Sequence, residues 1–211
     1  MNTLAAPCAT HVLYLHGFRS SPQSTKARMV GERVAQRHPA VRWWCPALAA
    51  SPAQAMADVL QGLSDWPAER TVVCGSSLGG FYARWLQLHW GARAVLLNPA
   101  VHPARDLARH IGELPQWHDP SQKVFFEARH VEELRQMEAD IARHAPRQAV
   151  QSDTLFAIVA QGDEVLDWRE MRDFCAGADL RLLPASDHAI SDFAEHIDAV
   201  FDFMRLCTPD A

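Results

Sequence analysis

The stretch Thr71 to Trp85, TVVCGSSLGGFYARW, sets two serines side by side among glycines. A serine hydroxyl is a poor nucleophile near neutral pH. It needs a base to take its proton, a group to orient that base, and donors for the oxyanion that forms. A strained strand-to-helix turn of pattern G-x-S-x-G presents a serine in this way, because small residues two before and two after it let the chain bend sharply. Ser77 has Gly75 and Gly79 at those offsets, whereas Ser76 has Cys74 and Leu78. Ser77 is therefore the candidate nucleophile. The competing reading is a glycine-rich turn with no chemistry.

In such an architecture the chain order is serine, acid, histidine. Of the eleven histidines, His188 in LLPASDHAISDF follows the last apolar run and precedes the last helical pattern, so it is the candidate base. His11 and His16 precede the serine, and His16 reads better as a strand-ending residue that holds the following loop by hydrogen bonds. The acid should end the preceding strand. TLFAIVAQGDEVLDW offers Asp163, Glu164 and Asp167 there. Asp163 directly follows the run and a glycine, so it is the choice, against the alternative of a simple turn aspartate. Asp167 reads as a helix cap, and so does Asp192, with Glu195 at capping-box spacing. Asp187 adjoins His188 and is poorly placed to face it. The backbone N–H groups of Leu78, after the nucleophile, and Phe18, in the loop LHGFRSSP, are the expected oxyanion donors.

These groups need a scaffold that brings distant segments together. Six apolar runs read as strands: HVLYLHG, VRWWCP, TVVCGS, ARAVLLNP, TLFAIVAQGD and DLRLLPASDH. Several are nearly continuous in apolar residues, as in strands covered on both faces. Helical patterns lie between them, near 24–37, 52–63, 77–91, 167 onward and 193–206. Phe193, Ile197, Val200, Phe201 and Met204 share one face of the last. Alternation of strand and helix predicts an α/β fold: a mostly parallel sheet of about six strands with helices on both faces. All the candidate groups then fall at the carboxyl ends of strands, where open α/β sheets bind ligands. The exception is about 101–152, rich in His and charge and carrying Trp117, Phe125 and Phe126. It reads as a cap-like insertion over the sheet of one 211-residue domain, with a helix in RHVEELRQMEADIARH. Its aromatics either line an acyl pocket or only pack the insertion down.

A net charge of −5 and the lack of a long basic run argue against a nucleic-acid partner. The five cysteines are odd in number and form no CxxC, which suggests free thiols in a reducing compartment. No basic leader and no apolar run of about 18 residues is evident, so a cytoplasmic protein without a membrane span is expected. There is no HExxH, and the scattered histidines lack zinc-ligand spacing, so neither a metal nor an organic cofactor is expected.

Together, LYLHGFRSSPQSTKA, GSSLGGFYARWL, LLNPAV, QGDEVLDWR and DHAISDF resemble the small single-domain YqiA-like esterases of the α/β-hydrolase superfamily. The resemblance spans nearly the whole chain. It implies a Ser-Asp-His hydrolase of carboxylic esters, with acyl-CoA thioesters as a further substrate class, and it supports Ser77, Asp163 and His188 position by position. Relatives tend to have Asn at Arg19 and GNHAF in place of SDHAI, so mechanism transfers more securely than substrate. Two rivals stand beside the esterase reading: a dedicated acyl-CoA thioesterase, and a non-catalytic binding protein on the same fold.

Overall fold

Strand residues alternate between two apolar cores, and that alternation explains the architecture. The computed structural model describes residues 7–117, 119–144 and 152–208. Residues 1–6 of the segment read for a leader, and 118 and 145–151 of the insertion, lie outside them. Six parallel strands form the main sheet: β1 (His11–Leu15), β2 (Arg42–Trp44), β3 (Thr71–Ser76), β4 (Arg93–Leu97), β7 (Leu155–Ala160) and β8 (Asp179–Leu183), in the order β2-β1-β3-β4-β7-β8. Leu13, Val73, Leu96 and Ala157 point to one core, while Val12, Cys74, Val95 and Ile158 point to the other. Successive side chains of a strand face opposite sides, so runs apolar at every position must be covered twice. Helices α2 (Pro52–Gly62), α3 (Leu78–Trp90) and α5 (Ala128–His144) bury Met56, Phe81 and Leu134 in the first core. Helices α1 (Thr25–Arg37) and α7 (Phe193–Met204) bury Val30, Val34, Ile197 and Val200 in the second.

The six strands and the helices fall where the apolar runs and periodicities place them. Between β4 and β7 lie α4 (Pro103–Leu107), an antiparallel hairpin of β5 (Gly112–Pro115) and β6 (Lys123–Phe126), and α5. The sequence analysis anticipates only α5 among these. Helix α3 ends at Gly91 in the left-handed region, φ 82°, a natural helix stop. Asp167 caps α6 (Trp168–Phe174) by accepting from the Arg169 N–H at 2.8 Å. Asp192 departs from expectation. It makes no side-chain cap on α7; its carboxylate instead accepts from Ser186 Oγ and pairs with His196.

The cysteines also correct the sequence reading. Cys8 and Cys207 form a disulfide across 199 residues, leaving Cys45, Cys74 and Cys175 free. The two ends of the chain run parallel there: Ala9 donates to Arg205 O at 2.9 Å and Cys207 donates to Ala9 O at 2.9 Å. This pairing holds the two Cα atoms 5.0 Å apart, within disulfide reach. The inferred reducing compartment loses the support that five free thiols would give. No described helix is long and apolar enough to cross a membrane. Burial pushes the Cys45 and Cys175 thiols up to about 12 and raises that of Cys74 as well. Thiolate is the reactive form, so a thiol-specific disulfide reagent should find no fast-reacting cysteine in the native protein. It should find the three free thiols after unfolding without reductant. Five after unfolding alone would contradict the bridge. Cys8→Ser should lower unfolding free energy by about 2–4 kcal/mol.

Candidate active site

The sheet order reverses between β1 and β3, since β1 leads outward to β2 whereas β3 leads the other way to β4. Such a switch point opens a crevice at the carboxyl ends of the two strands. Ser77 stands there, immediately after β3 and before α3. Its backbone lies at φ 56°, ψ −120°, a conformation rarely adopted by a residue with a side chain. The flanking glycines make the bend possible by steric necessity. A Cβ on Gly75 would stand 2.0 Å from Gly79 O, and one on Gly79 would stand 2.0 Å from Leu15 O. Main-chain bonds then hold Ser77: its N–H donates to Leu97 O at 3.0 Å, and its carbonyl accepts from Ala100 N at 3.0 Å and Gly80 N at 2.9 Å. Gly17, after β1, lies against Ser77, where an added Cβ would meet Ser77 Cβ at 3.3 Å.

His188 Nδ1 lies 2.7 Å from Asp163 Oδ2. An ionised carboxylate only accepts, so Nδ1 carries the proton and Nε2 keeps a lone pair. The Asp163 side chain is 0% exposed, and its Oδ1 accepts from the Val165 and Leu166 N–H groups, each at 2.8 Å. Its two oxygens thus have separate tasks, one holding its own turn and one holding the imidazole. Asp187 plays no part, because its carboxylate accepts from the Ser191 N–H at 2.9 Å and Ser191 Oγ at 2.7 Å.

Three further residues position this pair. Asn98, buried at the end of β4 with φ 42°, accepts from the Ala160 N–H at 2.7 Å and donates to Asp187 O at 3.0 Å and His188 O at 3.1 Å. It ties the end of β7, which carries Asp163, to the loop that carries His188. Glu164 Oε2 accepts from the His188 N–H at 3.1 Å. Lys26 Nζ donates to Ala189 O in the same loop. Burial holds the Lys26 ammonium below its ordinary range, against the opposing pull of Asp187 and Asp163. The sequence analysis gives this role to none of the three, although it names Glu164 among the candidate acids. The one visible trace of Asn98 is a lone amide closing an apolar strand in VLLNP. His16 does what was expected of it: Nδ1 donates to Gly17 O at 3.0 Å, and Nε2 accepts from the Leu48 N–H at 3.2 Å.

A cavity of about 1060 Å³ opens over these groups and includes Gly17, Phe18, Ser77, Leu78, His188 and Ala189 in its lining. Leu78 is the first residue of α3, where backbone N–H groups have no intrahelical partner. Of the three insertion aromatics, Trp117 lines the cavity, with its ring 4.0 Å beneath the Arg19 guanidinium. Phe126 is fully buried in the core, edge-on to Phe18 at 5.1 Å. Phe125 is 60% exposed, and neither phenylalanine lines this cavity. Arg19, Lys26, Arg105 and Arg109 line it together with the acids Asp106 and Glu164. Burial, then the Arg109 and Arg19 charges, hold the His110 imidazole below its usual range.

The model of Uncharacterised protein family (UPF0227) matches residues 11–205. The chain belongs to this family. Its structure is similar to one of the metagenome-derived lipolytic enzymes LipS and LipT, with a TM-score of 0.69 and 20% identity over 96% of each chain. It is similar also to Est1E from Butyrivibrio proteoclasticus, TM-score 0.64 and 14% identity over 96% of this chain and 89% of that one. A third is S-formylglutathione hydrolase FrmB of Staphylococcus aureus, TM-score 0.60 and 15% identity over 97% and 87%. These likenesses establish the α/β-hydrolase fold of this UPF0227 member.

The hydrogen-bond pattern around Asn98 gives a test independent of chemistry. Asn98→Asp keeps the acceptor for Ala160 N but sets an oxygen against two carbonyls. It should lower stability by about 2–4 kcal/mol in urea unfolding. A loss below about 0.5 kcal/mol would show that the amide carries no such load.

Proposed function

We propose that this protein is a serine hydrolase that cleaves carboxylic esters through an acyl-enzyme. The observation that carries the reading is the shielded Asp163–His188 bond of 2.7 Å, set over the same cavity as a serine on a strained strand-to-helix turn. A turn of that shape costs stability, and backbone strain of this kind concentrates at functional sites. A carboxylate that fixes the histidine tautomer leaves Nε2 as a base.

In this mechanism His188 Nε2 takes the Ser77 Oγ proton as that oxygen attacks the ester carbonyl. Asp163 holds the imidazole and stabilises it when it becomes charged. The N–H groups of Leu78 and Phe18 receive the oxyanion. The leaving alcohol departs with the proton from His188, and water then repeats the sequence on the acyl-enzyme. Tyr14, Met29, Leu107, Val165 and Ile190 give the cavity an apolar wall for the acyl group, and Trp117 covers its rim from the insertion, which acts as a cap. Phe125 and Phe126 have no part in this pocket.

A thioesterase acting on acyl-CoA is the second reading, favoured by the basic side chains of the cavity. Arg105 is already paired with Glu170 and Asp106, which leaves Arg19, Lys26 and Arg109 for an anionic leaving group. The apolar wall favours the simpler ester.

Ser77→Ala should lower kcat on short-chain aryl esters by about 10,000-fold or more, while Ser76→Ala stays within about tenfold of wild type. Retained activity in a folded Ser77→Ala protein would remove the assignment. Trp117→Ala should raise KM for longer acyl chains more than for acetyl esters, as expected from losing apolar contact area. Equal changes across the series would show that Trp117 does not meet the acyl chain.

A further inference from the structure

Helices α3 and α5 meet far from the candidate active site, at a cluster that the hydrolase reading does not use. His89, near the end of α3, and Asp140 and His144, one turn apart on α5, bring one ring nitrogen each and a carboxylate oxygen within 4.8 Å of one another. His89 Nε2 is 2.6 Å from Asp140 Oδ2, and His144 Nδ1 is 3.4 Å from Asp140 Oδ1. The imidazole rings lie 4.5 Å apart, edge to face.

The outer contacts prepare these groups as ligands. His89 Nδ1 lies 2.8 Å from Trp85 O, and His144 Nδ1 lies 2.8 Å from Asp140 O. A carbonyl only accepts, so each histidine spends its Nδ1 proton on the main chain, which leaves Nε2 as the nitrogen available to an ion. His89 Nε2 meets Asp140 Oδ2 at 2.6 Å, a contact that a shared proton bridges and that a bound ion would take over by displacing that proton. The Trp85 indole N–H donates to Asp140 Oδ2 at 3.0 Å, and the Trp85 ring stacks on His89 at 4.4 Å. Ligating imidazoles and carboxylates of transition-metal sites are usually held by outer hydrogen bonds of this kind. Among the described residues Arg143 also pairs with the cluster: its guanidinium is 3.1 Å from Asp140 Oδ1, and its side chain is 71% exposed and free to swing away.

We propose that His89, Asp140 and His144 form a binding site for a first-row transition ion, with zinc the best match, that clips α5 to α3. Two imidazoles and one carboxylate suit zinc, copper or nickel rather than calcium or magnesium. Tetrahedral zinc holds its ligands about 2.0–2.1 Å from the metal and so about 3.3 Å from one another. Rotation of these partly exposed side chains would bring the ligands to that spacing, with water completing the coordination. The ion has no contact with Ser77 and takes no part in hydrolysis. Its effect is to fasten the helix of the insertion, just before 145–151, to the helix that Ser77 begins.

The test is calorimetric titration of untagged, chelator-washed protein with zinc chloride, alongside thermal melts followed by circular dichroism. Wild type should take up one equivalent with Kd of about 10 µM or tighter and melt several degrees higher with zinc. His89→Gln and His144→Gln, on different helices, should each weaken binding at least about tenfold while their metal-free melts show folded protein. Arg143→Ala should bind zinc as tightly as wild type or tighter, and magnesium should give no uptake. Wild-type affinity in either histidine variant, or no saturable uptake below about 100 µM, would overturn the proposal.

Discussion

The backbone of Ser77 is the constraint on which the rest of the site depends. Its φ of 56° and ψ of −120° lie outside the regions comfortable for a residue with a Cβ, a strain that costs about 1–3 kcal/mol. Such a conformation persists only where its surroundings over-determine it. Here they do: β3 is inserted between β1 and β4, Leu97 and Ala100 hold the Ser77 amide and carbonyl, and Gly79 packs against the β1 carbonyl of Leu15. A side chain at Gly79 would push β1 away, and with it the loop of Gly17 and Phe18. The bend that exposes the serine and the approach of the Gly17–Phe18 loop are therefore one packing event.

The other half of the site is built on hydrogen bonds. Asp163 and His188 come from loops after the paired strands β7 and β8, and a hydrogen-bonded link from the neighbouring strand ties those loops together. Asn98 supplies that link from β4, with one acceptor and two donor contacts. Each such bond has a small net value, yet leaving one buried partner unsatisfied costs about 1–3 kcal/mol. The next residue after β4 is thus as much a part of the site's geometry as the acid. The Asn98 φ of 42° shows that the main chain is bent there to bring the amide into reach.

Local order along the chain accounts for what was readable in the sequence. Strands buried on both faces must be apolar at every position, and the strand-to-helix turn must carry glycines at fixed offsets around Ser77. Both rules are local, so the sheet, six of the helices flanking it and the turn were legible, as was the role of His16. Groups that depend on contacts between remote segments were not. Cys8 and Cys207 are 199 residues apart and meet only because the chain ends run parallel. Asn98, Glu164 and Lys26 act across loops. Trp117, Phe125 and Phe126 were read together, as lining a pocket or packing the insertion down, although neighbours on β6 must face opposite sides. Phe126 accordingly goes to the core and Phe125 to solvent. His89 and the Asp140–His144 turn sit on separate helices, so no spacing pattern joins them.

The central claim is that Ser77, and not its neighbour, is made nucleophilic by the Asp163–His188 pair. A fluorophosphonate probe tests it directly, with the adduct localised by fragmentation of the tryptic peptide Thr71–Arg84, which holds both serines. The account predicts one adduct, on Ser77, formed much more slowly in His188→Ala. An adduct on Ser76, or no adduct on a folded wild-type protein, would contradict it.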